Sequence, residues 1–504
     1  MRCSNILKQA GSHRSGTALR RRDALRYSTV ILVLTASRYK RCLCWPRTRL
    51  LSMLFRDWHT RLTAVIDRFE PSLRQRIVSG AVWSIVGAGL ASGLTMVSNV
   101  VCARFLGATR FGELAIVLAT TNLFTTLLAS GLGMTATRFV AEYRNSDPRR
   151  AGTVIGLSWV TSIVVGAATA VFVILFAPWL SRGILGAAGL AGAVSLGAVV
   201  MFFAALNGSQ VGALSGLEAF SLVALGNLVR GIAIIVFVTA GAAWDGVSGA
   251  LLGYIVVGLA TAVFYQLAIR RKCASAGIDI SYRFSRQDLR MFSQFTLPVL
   301  VAAISFTPAA WWSNVLLANH SGFSEAGVFG AIVHWQMFIL FFTNAISNIG
   351  LPMLSNLRAE RNSARYRKCL AVNFMLTTAP AVIIGVVVAV FARPIMHMYG
   401  PGFEHGAAGL VLISFASVLT AINTPVGHVL WSLDATTSAV LLALVRGGAL
   451  VLAAYAFADK GATGLAGAYV IMGVVQTIAN IPFLVWLLRR KLTPVAAREE
   501  VAVA

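Results

Sequence analysis

The sequence predicts an all-α membrane protein with about twelve transmembrane helices, and two observations carry that prediction. Apolar residues make up 57% of the 504 residues and charged residues only 12%, whereas about a quarter of the residues in a soluble domain are charged. Apolar runs of about 20 residues recur along the chain, and each is long enough to cross a hydrocarbon core of about 30 Å as a helix. The period-two alternation of a membrane β-barrel is absent from the sequence, so helices are predicted.

The predicted spans form two groups of six. The first group covers residues 79–102, 112–133, 153–177, 190–211, 219–241 and 248–269. The second group covers residues 293–317, 326–349, 369–392, 406–425, 436–457 and 464–488. Both groups end in the basic triplet Arg-Arg-Lys, at 270–272 and at 489–491, which indicates an internal repeat.

Residues 1–76 precede the first span and differ from the rest of the chain in composition. They are rich in arginine, and their apolar pieces, such as Ser28–Ala36, are too short to span a membrane. We expect a disordered basic extension, with Met53 as a candidate for the true start of translation. The alternative is an uncleaved targeting segment.

Short identities between the two groups of spans support the repeat. Leu228–Gly231 (LVRG) recurs as Leu444–Gly447, and Ser98–Val100 (SNV) recurs as Ser313–Val315 at almost the same offset along the chain. Because six is an even number, both copies enter the membrane from the same side, and a substrate path is predicted between these parallel repeats. Further matches pair Gly249 with Gly464 and Tyr254 with Tyr469. The predicted domains are an N-terminal lobe at 77–272, a linker at 273–292, a C-terminal lobe at 293–491 and a tail at 492–504.

Basic residues mark alternate loops and so predict the orientation of the chain. One set of loops carries Arg138, Arg144, Arg149, Arg150, Arg270, Arg271, Lys272, Arg283, Arg286, Arg290, Arg358, Arg361, Arg365, Arg367, Lys368, Arg489, Arg490 and Lys491. The other loops hold only Arg104, Arg110, Arg182, Arg393 and Lys460. By the positive-inside rule, the first set of loops and both termini are predicted to be cytoplasmic.

Several classes of function are not supported by the sequence. The formal net charge of +25 does not predict nucleic-acid binding, because the basic residues lie in the extension and in short loops rather than on a face with interleaved aromatic residues. The six cysteines have no paired spacing beyond Cys42 and Cys44, so neither a disulfide framework nor a metal site is predicted. No nucleophile elbow or phosphate-binding loop occurs, so we predict a protein without enzymatic activity and without cofactors.

One segment resembles a known family. Ala103–Gly133, ARFLGATRFGELAIVLATTNLFTTLLASGLG, resembles the R-x-L-G-x-x-x-F-G signature that follows the first span of bacterial polysaccharide flippases. These proteins form the polysaccharide branch of the multidrug/oligosaccharidyl-lipid/polysaccharide exporter superfamily. The second half, at Ala318–Ile332, keeps Phe329 and Gly330 but lacks the R-x-L-G part. The matching residues of the signature are Arg104, Leu106, Gly107, Phe111 and Gly112.

The resemblance implies a flippase of the bacterial cytoplasmic membrane, with two six-helix lobes in a V that open alternately to either side. The implied substrate is an oligosaccharide on polyprenyl diphosphate, used for O-antigen, capsule or exopolysaccharide. The implied partners are the lipid bilayer, a glycan polymerase and glycosyltransferases.

The alternative within the superfamily is an ion-coupled multidrug exporter, although the first span lacks a carboxylate and paired cations would repel cationic drugs. Two other classes of protein are further alternatives. A major-facilitator-type transporter lacks support because its usual motif is missing after the second span, and a non-transporting scaffold would leave the arginines of the spans unexplained.

Arg230 and Arg446 occupy matched positions near the middle of the fifth and eleventh spans. An arginine at the centre of a bilayer costs about 2.5–3.5 kcal/mol on insertion scales, so we expect a polar partner for each. A planar guanidinium donates two parallel hydrogen bonds to a phosphate, which suits the implied diphosphate. We interpret both arginines as cations of a transport cavity; the alternative is a packing role, in which each pairs with a buried carbonyl or reaches toward the membrane surface.

Four further residues are candidates for transport roles. Asn99 and Asn314 match near the ends of the first and seventh spans, where they either bind sugar hydroxyls or hydrogen-bond across helices. Trp311 either stacks on a sugar ring or serves as an interface anchor. His334 is an intramembrane titratable residue, either a coupling site for protons or a histidine satisfied within the helix packing.

Glu218 and Asp434 match just before the fifth and eleventh spans. A carboxylate at this place favours capping of the following helix N-terminus. The alternative is a role in ion coupling.

Overall fold

The structure is a computed structural model, and it describes residues 71–286, 288, 290, 296, 306–346, 354, 363–433 and 435–492. Every regular element in these ranges is a helix. Residues Ile77–Ala504 form one compact unit. The predicted extension up to residue 70, most of the segment from 287 to 305, Asp434 and the tail after Leu492 lie outside the described residues.

The N-terminal half consists of long helices that change direction at glycines. Its helices are α1 (Pro71–Tyr143), α2 (Pro148–Trp179), α3 (Ala191–Gly216), α4 (Phe220–Ala233) and α5 (Thr239–Ala276). Helix α1 contains the first two predicted spans and turns at Gly107, whose φ of 70° and ψ of 172° favour glycine. Helix α5 turns at Asp245 and Gly246. A π-helical turn, Ile234–Val238, joins α4 to α5, so the fifth predicted span runs through three elements.

The C-terminal half repeats this arrangement. Its helices are α6 (Thr307–Ser321), α7 (Phe323–Ile339), α8 (Ser363–Val390), α9 (Ala392–Met398), α10 (Ala407–Ser432), α11 (Thr436–Phe457) and α12 (Gly461–Leu492). Gly322, between α6 and α7, has a φ of 89° and a ψ of 168°, nearly the conformation of Gly107. The two halves therefore bend at the same place between their first and second spans.

The helices have the length and composition of membrane spans. Seven helical stretches of the described residues are long and apolar enough to cross a membrane. Two of them, Gly89–Tyr143 and Phe220–Ala276, contain 55 and 57 residues. At about 1.5 Å per residue, either stretch is much longer than a hydrocarbon core of about 30 Å, so each holds more than one crossing. The chain is a multi-pass membrane protein.

Matched helix pairs pack together in the two halves. Helix α2 packs on α3 as α8 packs on α10, and α3 packs on α5 as α10 packs on α12. The same side-chain bond recurs within the latter pairs: Asn207 Nδ2 donates to Thr261 Oγ1 at 3.0 Å, and Asn423 Nδ2 donates to Thr477 Oγ1 at 2.7 Å. Asn423 and Thr477 lie 216 positions after Asn207 and Thr261, the same distance along the chain that separates Arg446 from Arg230. The predicted parallel repeat is thus present in three dimensions.

The chain after α5 lies against α2. Gly277, with a φ of 66°, ends α5, and the following backbone passes so close to α2 that a Cβ atom at Gly152 or Gly156 would overlap a carbonyl oxygen of Asp279 or Ser281. Small residues permit such close packing of backbones. This part of the linker therefore packs on the N-terminal half.

The predicted capping role of Glu218 is wrong. The N-cap residue of α4 is Ala219, and α4 has no side-chain cap. Glu218 has a φ of 54°, and its carboxylate instead forms a salt bridge with Arg144 at the end of α1. The left-handed backbone directs the carboxylate toward the neighbouring helix rather than the first turn of α4.

Candidate functional site

Arg230 lies on an exposed face of α4, close to two phenol groups of α5. Its charge acts electrostatically on Tyr254 and on Tyr265. Glycines bring the helices this close together: a Cβ atom at Gly226 would overlap the ring of Tyr265, and one at Gly231 would lie 2.9 Å from Leu94 of α1. Arg230 is exposed, and among the described residues it has no hydrogen-bonding acceptor.

Arg446, its counterpart on α11, is half-buried and stacks on an aromatic ring. Its Cζ atom lies 3.6 Å from the ring centroid of Phe306, the residue that precedes α6. Its Nε atom is buried without a hydrogen-bond partner among the described residues. Its charge acts on Tyr469 of α12, whose ring centroid is 5.6 Å from that of Phe329. Stacking on a ring face stabilises a cation without using its N–H donors.

Each arginine therefore lies within electrostatic reach of one tyrosine, Tyr254 for Arg230 and Tyr469 for Arg446. Tyr254 and Tyr469 are themselves a matched pair of the repeat, and within the described part of the chain their hydroxyls have no hydrogen bond. The sequence shows that the two tyrosines are equivalent in the repeat, but it does not show that they lie near the arginines. A guanidinium has only donors and a phenol has an O–H to donate, so each pair is suited to an anionic ligand.

The other candidate residues lie in different surroundings. Asn99 is buried, and its Nδ2 atom has no partner in the described part of the chain, whereas Asn314 Nδ2 donates to the carbonyl of Ala310 within α6. Trp311 Nε1 donates to Thr120 Oγ1 at 3.0 Å and so links α6 to α1. His334 Nδ1 lies 2.6 Å from the carbonyl oxygen of Gly330 in its own helix. The imidazole is thus satisfied by α7 itself, which matches the packing alternative, although a coupling role stays untested.

The structure places the signature residues where the two halves meet. Arg104 Nε donates to the carbonyl of Met398 at 2.7 Å, and Gly107 forms the bend of α1. Leu106 and Phe111 are buried. Gly112 lies against the backbone of the second half. These residues hold helices together and do not surround either arginine pair.

The sequence match of the second half needs a correction. The structure pairs Gly107 with Gly322 and Gly112 with Gly327, since both pairs have the offset that relates Ser98 to Ser313 and the members of each pair have the same surroundings. Phe329 and Gly330, which the sequence suggested as the remnant of the signature, lie too far along the chain to fit that offset. An isolated Phe-Gly pair misled the comparison, whereas the offset found in the rest of the repeat gives the correct register.

The structure brings the candidate residues together only in part. Trp311 and Asn314 share one face of α6 because their positions differ by about one helical turn. Arg230 and Arg446 lie in different halves, on α4 and α11. Within the same ranges no group of three or more His, Cys, Asp or Glu side chains is placed to hold a metal ion.

Comparisons of the sequence place the chain among known proteins. A family model described as "Polysaccharide biosynthesis protein" matches residues 77–358, more than half of the chain. Two curated relatives named lipid III flippase come from Escherichia coli (strain K12) and Shigella flexneri. Each is 27% identical over 292 residues, which cover 56% of this chain and 66% of the relative. The match therefore spans slightly less than two thirds of these relatives' own length.

Solved transporter structures share the fold. An inward-facing multidrug resistance transporter of the MATE family and MOP superfamily superposes with a TM-score of 0.68 at 17% identity, over 82% of this chain and 98% of that chain. A MOP superfamily transporter from Pyrococcus furiosus, described as having a binding pocket of reverse polarity, gives 0.64 at 17% identity, over 82% and 95%. An outward-facing MATE transporter gives 0.59 at 18% identity, over 82% and 96%. The predicted fold of two six-helix lobes is thereby confirmed.

Proposed function

We propose, from the premise that this chain belongs to the polysaccharide biosynthesis protein family, that it is a flippase for a lipid-linked oligosaccharide. The substrate would be an oligosaccharide on polyprenyl diphosphate, carried across the bacterial cytoplasmic membrane for O-antigen, capsule or exopolysaccharide synthesis. The two relatives named lipid III flippase support a lipid-linked substrate. A glycan polymerase and glycosyltransferases would then act before and after transport.

The observation that carries the proposal is the pair of matched guanidinium–phenol groups. Arg230 with Tyr254 and Arg446 with Tyr469 present N–H and O–H donors that no described protein group accepts from. A diphosphate is an acceptor with two charges, and a guanidinium binds it through parallel charge-assisted hydrogen bonds. Such a ligand would offset the cost of about 2.5–3.5 kcal/mol for each arginine within the bilayer.

A polar head group needs such a path because it cannot cross about 30 Å of hydrocarbon unaided. In the proposed mechanism the diphosphate binds the arginines, the sugars occupy the space between the halves, and the polyprenyl chain stays in the bilayer. Asn99 and Trp311 are proposed sugar contacts, since they lie on α1 and α6, helices of opposite halves that are in contact. Asn314 keeps its carbonyl oxygen for a hydroxyl, because its amide already donates to α6.

The alternative function is export of drugs coupled to an ion, and the MATE structures share the fold that would support it. Export of a lipophilic cation usually uses an intramembrane carboxylate, whereas the matched arginines would repel such a cation. His334 is the proposed coupling residue in that alternative. The matched arginines favour the anionic substrate.

Transport of labelled substrate by the purified chain tests the proposal. The protein is reconstituted into liposomes with a fluorescent oligosaccharide on polyprenyl diphosphate, and a membrane-impermeant quencher is added outside. We expect the quenched fraction to exceed that of protein-free liposomes, and we expect no gain with the same oligosaccharide on a neutral polyprenol. Quenching equal to that of protein-free liposomes, together with export of a lipophilic cation such as ethidium, would establish the alternative.

The proposed orientation has its own test. Reporter tags after Arg150, Arg283 and Arg490 should lie in the cytoplasm, because the basic loops are retained there. Tags near Ser321 and Gly402 should lie on the opposite side. A cytoplasmic signal at Ser321 would overturn the orientation of the spans without touching the choice of substrate.

A further inference from the structure

The signature segment and its counterpart in the second half bind each other reciprocally. Arg104 Nε donates to the carbonyl of Met398 at the end of α9, at 2.7 Å. Asn319, the residue matched to Arg104 in the repeat, donates from Nδ2 to the carbonyl of Ile184 in the turn after α2, at 2.8 Å. One bond runs from the first half to the second and the other runs back. This is the arrangement that an approximate two-fold axis between the halves requires.

The backbones also meet reciprocally. A Cβ atom at Gly112 would overlap the carbonyl oxygen of Phe323, and one at Gly327 would overlap the carbonyl oxygen of Ala108. In the repeat, Gly327 is matched to Gly112 and Phe323 is matched to Ala108. Glycine at both positions is therefore required for contact, since any side chain would separate the two helices.

Apolar side chains fill the remaining space. The ring centroids of Phe111 and Phe403 lie 5.9 Å apart in an edge arrangement, and their exposed fractions are 2% and 0%. We name this region the seam, defined as residues 104–112, 184–186, 319–327 and 398–403. The centre of the seam is buried and its helices touch through backbone atoms, so a sugar diphosphate cannot pass while these contacts stand.

The seam lies at one end of the bundle, between the loops that carry few basic residues. Toward the opposite, basic end, the halves also meet, but there the hydroxyls of Thr135 and Thr296 form a side-chain hydrogen bond of 2.9 Å. That bond joins two side chains. In the seam, by contrast, backbone atoms of the two halves meet at Gly112 and Gly327.

We propose that the seam is the gate through which the head group leaves the protein. The R-x-L-G-x-x-x-F-G signature and its diverged copy then close the transport path and do not bind substrate. Arg104 and Asn319 act as reciprocal latches, and Gly112 and Gly327 allow the gate to shut completely. This inference rests on the proposed function only for the identity of the molecule that passes.

A disulfide across the seam tests the gate. A Cβ atom at Gly402 would lie 3.5 Å from the Cβ atom of Ala108, which suits a disulfide, whose Cβ atoms are about 3.5–4.5 Å apart. The variant Ala108→Cys with Gly402→Cys is made in a background whose native cysteines are replaced by alanine and which still transports. The control is Gly166→Cys with Ala205→Cys, whose Cβ atoms would lie 3.9 Å apart within the first half.

Both disulfides should form on oxidation, but their effects should differ. The seam disulfide should abolish flipping of the labelled lipid, leave its binding to the detergent-purified protein unchanged, and release the block on reduction. The control disulfide should leave flipping unchanged.

A second pair, Ala115→Cys with Gly330→Cys, lies one helical turn beyond the seam and addresses strain at Gly402, because both of its positions are helical. Its Cβ atoms would lie 3.0 Å apart, so the helices must separate by about 0.5 Å to form the disulfide. Flipping that continues in either fully cross-linked variant would overturn the gate, and failure of both pairs to cross-link would overturn the contact itself. Absence of flipping by the unmodified protein would instead contradict the proposed function, so the two failures are distinguishable.

Discussion

The two matched arginines differ in their surroundings. Arg446 is half-buried, with its guanidinium 3.6 Å above the ring of Phe306 and its Nε atom enclosed. Arg230 is exposed, and the residue matched to Phe306 is Ala91, which is too small to stack on it. A π-helical turn follows shortly after Arg230, whereas α11 continues as a regular helix past Arg446. Both halves thus have the arginine, but among the described residues only the second half has the aromatic ring that stacks on it.

This difference indicates that the two copies of the repeat are more alike where the halves contact each other than around the arginines. The seam contacts are reciprocal, and those of Gly112 and Gly327 are nearly identical, because both halves must fit one interface. The arginine sites are separate, so each can diverge without disturbing the other. We infer that the stack on Phe306 holds the Arg446 guanidinium in a fixed position, whereas no ring of the described residues supports that of Arg230.

The largest effect should come from substitution of the seam glycines, and it should be equal in the two halves. Gly112→Ala and Gly327→Ala each place a Cβ atom on a carbonyl oxygen of the other half. Overpacking typically costs about 1–3 kcal/mol, so formation of the Ala115→Cys/Gly330→Cys disulfide should slow by about 5- to 150-fold. Gly192→Ala is the control, because its Cβ atom would meet nothing within 4 Å. A normal cross-linking rate in one glycine variant alone would break the symmetry of the seam.

A smaller effect should follow from removal of the ring under Arg446. Phe306→Leu makes the second half resemble the first, and a cation–π contact is worth about 0.5–2 kcal/mol. Affinity for the lipid diphosphate should therefore fall by about 2- to 30-fold, measured by titration of the purified protein. Phe306→Tyr keeps the stack and should bind normally. Unchanged affinity in Phe306→Leu would show that the support of Arg446 is irrelevant to the ligand.

The smallest effect should come from the salt bridge that replaced the predicted helix cap. Arg144 and Glu218 are partly exposed, with side-chain exposed fractions of 20% and 44%, and exposed pairs contribute about 0–1 kcal/mol. Glu218→Gln should thus change thermal stability only slightly and leave flipping unchanged. Loss of flipping in a stable variant would restore the ion-coupling role and contradict the structural one.

The sequence predicted the spans, the repeat and the two arginines because these features depend on local composition and on a constant offset. It could not predict the stack of Arg446 on Phe306, since those residues are far apart in the sequence and only packing of α11 against α6 brings them together. The seam was missed for a related reason. Its contacts join one half to the other, and the offset reveals which residues are equivalent but not which ones touch.

The two tyrosines near the arginines could be predicted from the sequence only in part. Tyr254 and Tyr469 were visible as matched residues, and a helical bundle places each on the span after its arginine. What was lacking was the rotation of that span about its axis, which is set by glycines such as Gly226 that admit a ring against the helix. The capping role predicted for Glu218 was wrong because it was based on the chemistry of the side chain. The direction of the carboxylate depends instead on the positive φ that the turn imposes on the backbone.

The most direct test of the account is flipping by Arg230→Met and Arg446→Met, normalised to the inserted protein. If the arginines bind diphosphate, both variants should lose most of their flipping activity, Arg446→Met the more completely, while seam cross-linking stays normal. Arg→Lys at each site should retain part of the activity, because the charge remains and the bidentate fork is lost. If the arginines serve only packing, methionine removes the cost of a buried charge and leaves flipping unchanged or improved. Normal flipping in both methionine variants would contradict the central claim.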